Sequence, residues 1–342
     1  MKTFFHPLQR QHHPQSYLSR GQMRQPQEVP ERIDALLSAV RQWQFPLHEP
    51  ADHGMEPLKA VHERDYLEFL QHGHEAWLAA GQGEWGEEMM SNIFVQSPNA
   101  GHGILAQAAR HQLDGSCPIG PHTWRAAYWS AQAAVAAAAD VQSGERLAYA
   151  LCRPPGHHAR PSGAGGFCYL NNAAIAAESL RATYPRVAIL DTDMHHGQGT
   201  QEIFYARSDT LYVSIHGDPT NFYPVVAGFA EERGAGAGLG HNLNLPMRHG
   251  SDEAEFFRQL ELALAAVRQF QPDALILSLG FDIYQEDPQS KVAVSSQGFA
   301  RLGQRVAQLH LPTVIVQEGG YHLDSLSRNA GQFFSGLLNP LV

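Results

Sequence analysis

Cysteine is scarce, with only Cys117, Cys152 and Cys168 in 342 residues. None forms a C-x-x-C pair, and an odd count argues against a disulfide framework, so all three are expected as reduced, mostly buried thiols. Charge is also sparse, at 17% of residues, and it leans acidic: 24 Lys and Arg against 34 Asp and Glu, a balance of −10. Such a chain lacks the cationic footprint of a nucleic-acid binder, and suits a cationic substrate only weakly. Long hydrophobic runs are missing as well. The most apolar stretch, Ala126 to Ala139, is broken by Ser130 and Gln132 and falls short of the about 20 residues that span a bilayer. The amino-terminal segment has one Lys and the pair Phe4-Phe5 before it turns to Gln and His, with no hydrophobic region of secretory length. A cytoplasmic protein without membrane contact is expected. There is no G-x-S-x-G, no H-E-x-x-H and no phosphate-binding loop, and the glycines from Gly234 to Gly240 do not follow a strand. Serine esterases, zincins and nucleotide enzymes therefore drop out.

From Leu147 onward, short apolar runs alternate with helical patterns. Strands are expected at Leu147 to Cys152, Val187 to Leu190, Thr210 to Ile215, Ala274 to Leu279 and Thr313 to Val316. Helices are expected at Glu31 to Trp43, Asp65 to Ala80, Asn172 to Tyr184 and Phe299 to Leu309. A further helix would be capped by Ser251, with Asp252 and Glu253 in its first turn and Pro272 as its stop. This alternation implies βαβ units and a mostly parallel α/β sheet with helices on both faces. Gly81 to Pro121 sustains no period, and an irregular insertion of that length, about 81–123, is uncommon unless it is functional. No linker or repeat marks a boundary, so residues 1–342 read as one domain.

Ligands of open α/β sheets bind beyond the carboxyl ends of the strands. Each expected strand here ends in a titratable or metal-binding group beside a glycine or proline turn: Arg153 to His158, Asp191 to Gly197, His216-Gly217-Asp218, Gly280-Phe281-Asp282 and Gln317 to Tyr321. If strand geometry continues past Leu190, then Asp191, Asp193 and His195 share a face. Completed by an Asp from another strand, they would form a carboxylate-rich site with one imidazole, a donor set that zinc accepts. His157-His158 beside a metal would supply acid/base groups that titrate near neutrality. Of the 20 histidines, only His157, His158 and His195 are assigned chemistry; His12, His13, His72 and His74 are expected on the surface or in loops.

Five ordered motifs together carry a resemblance: Pro154 to Ala159, Gly165 to Asn172, Asp191 to Gly199, Ser278 to Asp282 and Glu318 to Tyr321. In these the chain resembles the histone deacetylase superfamily, and within it the bacterial acetylpolyamine amidohydrolases. The resemblance implies an arginase-like α/β fold, one zinc ion on Asp193, His195 and Asp282, and zinc-dependent removal of acetyl groups from polyamines or short diamines such as acetylcadaverine and acetylputrescine. It implies that His158 is the general base, that His157 with Asp191 is its electrostatic partner, and that Tyr321 hydrogen-bonds the scissile carbonyl. It also implies a structural potassium ion at Asp191, Asp193, His195, Ser214 and Ile215. Tyr17, Gly166, Phe167, Tyr223 and Phe281 would line the substrate channel, and a homodimer would form through the 81–123 insertion. Gln198 departs from the Asp that many eukaryotic members place behind the second histidine. A neutral amide can orient His158 but stabilises an imidazolium less. For the cationic end of the substrate the chain offers Asp114, Glu286 and Asp287, with no matching glutamate pair. The alternatives are a protein acetyl-lysine deacetylase, a two-manganese ureohydrolase on the same fold, and a silent protein that binds an amine or acetylated ligand.

Overall fold

Val187 to Asp191 is five consecutive buried residues, the pattern of a strand covered on both faces. The computed structural model, which describes residues 1–95 and 101–339, places this strand in an eight-stranded sheet. In chain order its strands are β1 (Lys2–Phe4), β2 (Leu47–His48), β3 (Leu147–Ala150), β4 (Val187–Asp191), β5 (Thr210–Gly217), β6 (Asn242–Met247), β7 (Ala274–Leu279) and β8 (Thr313–Gln317). The spatial order is β2-β1-β3-β8-β7-β4-β5-β6, and every neighbouring pair is parallel. The alternation of β7 shows why the runs are continuous: Leu275, Leu277 and Leu279 enter the core on one face, Ala274 and Ile276 the core on the other.

Helices cover both faces: α1 (Glu31–Gln42), α2 (Arg64–Ala79), α3 (Ile104–His111), α4 (Thr123–Gln142), α5 (Asn172–Leu180), α6 (Gln198–Phe204), α7 (Glu253–Phe270), α8 (Ser296–Ala307) and α9 (Leu323–Leu338). Two local readings change. The cap of α7 is Asp252, whose carboxylate accepts the Glu255 N–H at 3.0 Å, while Ser251 pairs with Val292 in a small parallel bridge. The insertion is also less irregular than its glycines suggest, since it contains α3; its residues 96–100 lie outside those described. No helix among the described residues is long and apolar enough to cross a membrane.

Because the strands are parallel, the loops after β3, β4, β7 and β8 all open at one edge of the sheet. His157 and His158, Asp193 and His195, Asp282, and Tyr321 stand on those four loops.

Candidate active site

The chain leaves β4 at Asp191 and does not stay extended. Asp191 Oδ1 accepts the N–H of Asp193 at 3.1 Å, and Asp193 Oδ1 accepts the N–H of His195 at 2.9 Å, so two successive Asx-turns replace the expected strand. They turn Asp193 and His195 toward Asp282 on the loop after β7, and ligand atoms of the three residues lie within 4.8 Å of one another. His195 Nδ1 is 3.0 Å from Asp282 Oδ2 and 3.3 Å from Asp193 Oδ1. Asp191 stays behind this group, accepting from Tyr212 at 2.9 Å and facing His157 Nδ1 at 3.0 Å.

All three residues of the cluster are buried, and their chemistry fits a divalent cation. Two carboxylates and one imidazole leave excess negative charge in a buried site. Burial and the neighbouring Asp193 push Asp282 up to about 7, while His195, against the pull of burial, is lifted to about 9 by the same two carboxylates. Backbone packs directly around the oxygens: a Cβ on Gly280 would stand 2.3 Å from Asp193 Oδ2, and one on Gly319 would stand 2.7 Å from Asp282 Oδ2. Gly319 N–H donates to Asp193 at 2.8 Å. A second trio, His157, Cys168 and Glu318, is also close. Burial and the nearby Glu318 hold the Cys168 thiol protonated, which makes it a poor ligand.

The two adjacent histidines have opposite surroundings although their rings are 3.9 Å apart. Burial would depress His157, but Asp191, Asp193 and Glu318 outweigh it and raise it to about 10. His158 is driven well below its ordinary value, first by burial and then by the positive charges of His157 and His195. Its Nδ1 faces Gln198 Oε1 at 2.6 Å. One imidazole is thus held charged and the other neutral, the division of labour that acid–base chemistry needs.

Above these residues opens a cleft of about 680 Å³, whose walls include Tyr17, Asp114, Gly166, Phe167, Tyr223 and Tyr321. Phe167 makes edge contacts with both Tyr17 and Tyr321. Phe281 is elsewhere: it is buried in the core against Phe299. Asp287 faces inward and accepts the N–H groups of Tyr321 and His322 at 2.6 and 3.0 Å, so it anchors the Tyr321 loop and is withheld from a substrate amine. Glu286 is exposed and outside the cleft wall. Ser214 and Ile215 lie buried on β5, with Ser214 paired in register with Asp191. His12, expected at the surface, is buried at 3% exposure and edge-on to Tyr169.

Sequence reading missed Arg32. From α1 its guanidinium donates to the carbonyls of Gly320 and Glu318, both at 2.6 Å, pairs with Glu28, and lies 5.0 Å from the Tyr321 ring centroid. The available signal was a charged residue four positions before Leu36 on the apolar stripe of α1. Phe222 was missed too; it stacks on His195 at 4.8 Å.

A profile of the histone deacetylase domain matches residues 26–337. The acetylpolyamine amidohydrolase of Burkholderia pseudomallei (strain 1710b) is 66% identical over 98% of both chains. That of Mycoplana ramosa is 37% identical, over 93% of this chain and 94% of its own. The crystal structure of a Burkholderia pseudomallei acetylpolyamine aminohydrolase, also 66% identical, superposes with a TM-score of 0.97 over 98% of both chains. A parallel sheet that presents a buried Asp-His-Asp cluster and a charge-divided histidine pair at one edge agrees with that match along the chain, and the protein belongs to the histone deacetylase family.

Proposed function

We propose that this protein is a hydrolytic deacetylase of acetylated polyamines, with short acetylated diamines of the acetylcadaverine or acetylputrescine type favoured over longer chains. The observation that carries the reading is the joint placement of the buried Asp193, His195 and Asp282 cluster, which meets one cleft at His195, beside a His158 that lines the same cleft and is held neutral. One zinc ion would be held by those three residues, and when bound it supplies the Lewis acidity that polarises the amide carbonyl. His158, with its proton fixed on Nδ1, offers Nε2 to take a proton from the attacking water and then returns one to the leaving amine. His157, paired with Asp191, stays charged and steadies the negative charge that develops on the carbonyl oxygen. Tyr321 donates a hydrogen bond from its hydroxyl to that same oxygen, and Arg32 and Asp287 hold the loop that carries it. Gln198 fixes the orientation of His158.

Tyr17, Gly166, Phe167 and Tyr223 would bracket the methylene chain of the substrate, and their aromatic walls favour a slender amine over a bulky peptide. A structural potassium ion would be held by Asp191, Asp193 and His195 with Ser214 and Ile215. The 342 residues would act as one cytoplasmic domain. A homodimer through the 81–123 insertion is supported by its exposed Trp85, Ile93 and Leu105 and by Phe94, which reaches the cleft wall. Acetate release from acetylcadaverine, acetylspermidine and an acetyl-lysine peptide, measured on zinc-loaded protein, tests the reading. The acetylated diamine should be hydrolysed most efficiently. Equal efficiency on the peptide would overturn the narrow-channel reading in favour of a protein deacetylase, and absence of turnover on all three would favour a silent binding protein.

A further inference from the structure

Gln198 raises a problem that a carboxylate in its place would not. An amide is asymmetric: with Oε1 toward His158 it accepts from Nδ1–H, and the proton-accepting Nε2 faces the cleft. Flipped, it would donate to Nδ1 and force the proton onto Nε2, the wrong tautomer for a base. Something has to choose between the two orientations. The other end of the amide shows what does. Gln198 Nε2 donates to the hydroxyl oxygen of Tyr223 at 3.2 Å, and Tyr223 donates to Asp114 Oδ2 at 2.7 Å.

Asp114 is the fixed end of this chain. Besides Tyr223 it accepts from the N–H of Ser116 at 2.8 Å, from the Ser116 hydroxyl, and from the N–H of Gly166 at 3.2 Å. Four donors on two oxygens leave it an acceptor in every contact. The single proton of Tyr223 is therefore committed to Asp114, and toward Gln198 the phenol can only accept. The amide must present its NH2 there, so Oε1 must face His158, and Nδ1 must carry the proton. Glycines keep the chain compact. A Cβ on Gly166, whose φ is +55°, would stand 2.3 Å from His158 Cδ2 and 2.8 Å from Tyr223 Cε1; one on Gly165 would stand 3.0 Å from Asp114 Oδ2.

We propose that Asp114 and Tyr223 are positioning residues that set the tautomer of His158 through the Gln198 amide. The inference rests on the reading of His158 as the base. It extends that reading to two groups that touch neither the base nor the metal ligands through any polar atom, and it gives Tyr223 a task beyond lining the cleft.

A double-mutant cycle tests it. Tyr223→Phe keeps the ring and removes only the hydroxyl; it should lower kcat about tenfold, the usual scale for a group that orients a reacting residue, while KM changes less than twofold. In a Gln198→Glu background the same substitution should cost less than twofold, because a carboxylate accepts through either oxygen and needs no orienting partner. Equal losses in both backgrounds, or no loss in the first, would overturn the proposal. Should Gln198→Glu be inactive, nitrogen-15 spectra of histidine-labelled, zinc-loaded protein read the tautomer directly. A pure Nδ1–H form of His158 that becomes mixed in Tyr223→Phe supports the proposal, and a form unchanged by the substitution refutes it. The reading of His158 as base is tested apart from this by His158→Ala: if turnover survives there, that reading fails whatever the cycle shows.

Discussion

Replacing Asp282 by Asn should make the metal-free protein more stable and the zinc-loaded protein less so, relative to wild type. Without metal, one imidazolium stands between two buried carboxylates, and Asp282 bears the imbalance, pushed up to about 7. A carboxyl whose folded value lies above its unfolded value binds more protons when folded. Its contribution to stability is therefore present at low pH and lost as pH rises from about 4 to about 7. Across that interval the loss is about 4 kcal/mol. Asn at 282 can keep the oxygen that accepts the Met194 N–H at 2.9 Å, and it cannot ionise. It also deprives His195 of one of the two carboxylates that lift it to about 9, which offsets roughly half of the gain. A net stabilisation on the order of 2 kcal/mol follows, or roughly 3 °C in Tm for a chain of this length. With zinc at a hundred times its Kd, the wild type gains about 2.7 kcal/mol, and the variant, short of a ligand, gains far less. Thermal unfolding at pH 7.5 in chelator and then in zinc should show the two transitions exchange order. A variant less stable than wild type in chelator, or an equal zinc-induced rise in both proteins, would refute the assignment of these residues as the cation site.

Tyr321→Phe should retain zinc and lose a factor on the order of 10² to 10³ in kcat, since only the carbonyl-directed hydroxyl is removed; metal content and turnover measured on the same preparation check this. Gln198→Asp should move the acid limb of the kcat/KM profile to higher pH, because a carboxylate stabilises the His158 imidazolium better than an amide does, and an unchanged profile would defeat that account. Away from the cleft, His62 is held neutral: Nε2 accepts the Asn171 N–H at 2.9 Å, Nδ1 faces the Arg160 carbonyl at 3.0 Å, and burial lowers it to about 4. The unfolded chain binds that proton first, so stability falls as pH drops from about 6.5 to about 4, by about 3 kcal/mol for this group. His62→Gln should flatten the urea-derived stability profile over that interval by the same amount.

The strand-end residues were readable because parallel topology sends every carboxyl end to the same edge. His157, His158, Asp193, His195, Asp282 and Tyr321 all stand a few positions after an apolar run. The route by which Asp193 and His195 meet was misread, since side-chain oxygens bonding the backbone two residues on make turns where alternation suggested a strand. Elements with weak local signals escaped. Strand β6 carries two Asn and Pro246, which an edge strand tolerates and a central one does not. Helix α3, eight residues long, starts at Ile104 after Gly103, which offers no side-chain cap. Asp287 was considered as an amine binder because it is acidic and close in sequence to Asp282; its oxygen instead faces two backbone N–H groups, a direction that only the folded loop supplies.

Composition does not distinguish His157 from His158, yet the fold gives them opposite charge. One faces three carboxylates that outweigh its burial, and the other is depressed by burial and by two neighbouring imidazoliums, with only the more weakly acting Asp193 and the Gln198 amide opposing them. The amide at Gln198 fits this division. Asp191 already serves the first imidazole at 3.0 Å, and a second carboxylate behind His158 would favour two imidazoliums with rings 3.9 Å apart. That arrangement would leave less free base at neutral pH. A neutral acceptor keeps His158 oriented while raising its affinity for protons less than a carboxylate would, at the expense of needing Tyr223 and Asp114 to fix which way the amide points. Neutrality at residue 198 and the phenol-to-carboxylate chain beyond it are therefore two parts of one solution, and a change at either end should be felt in the other.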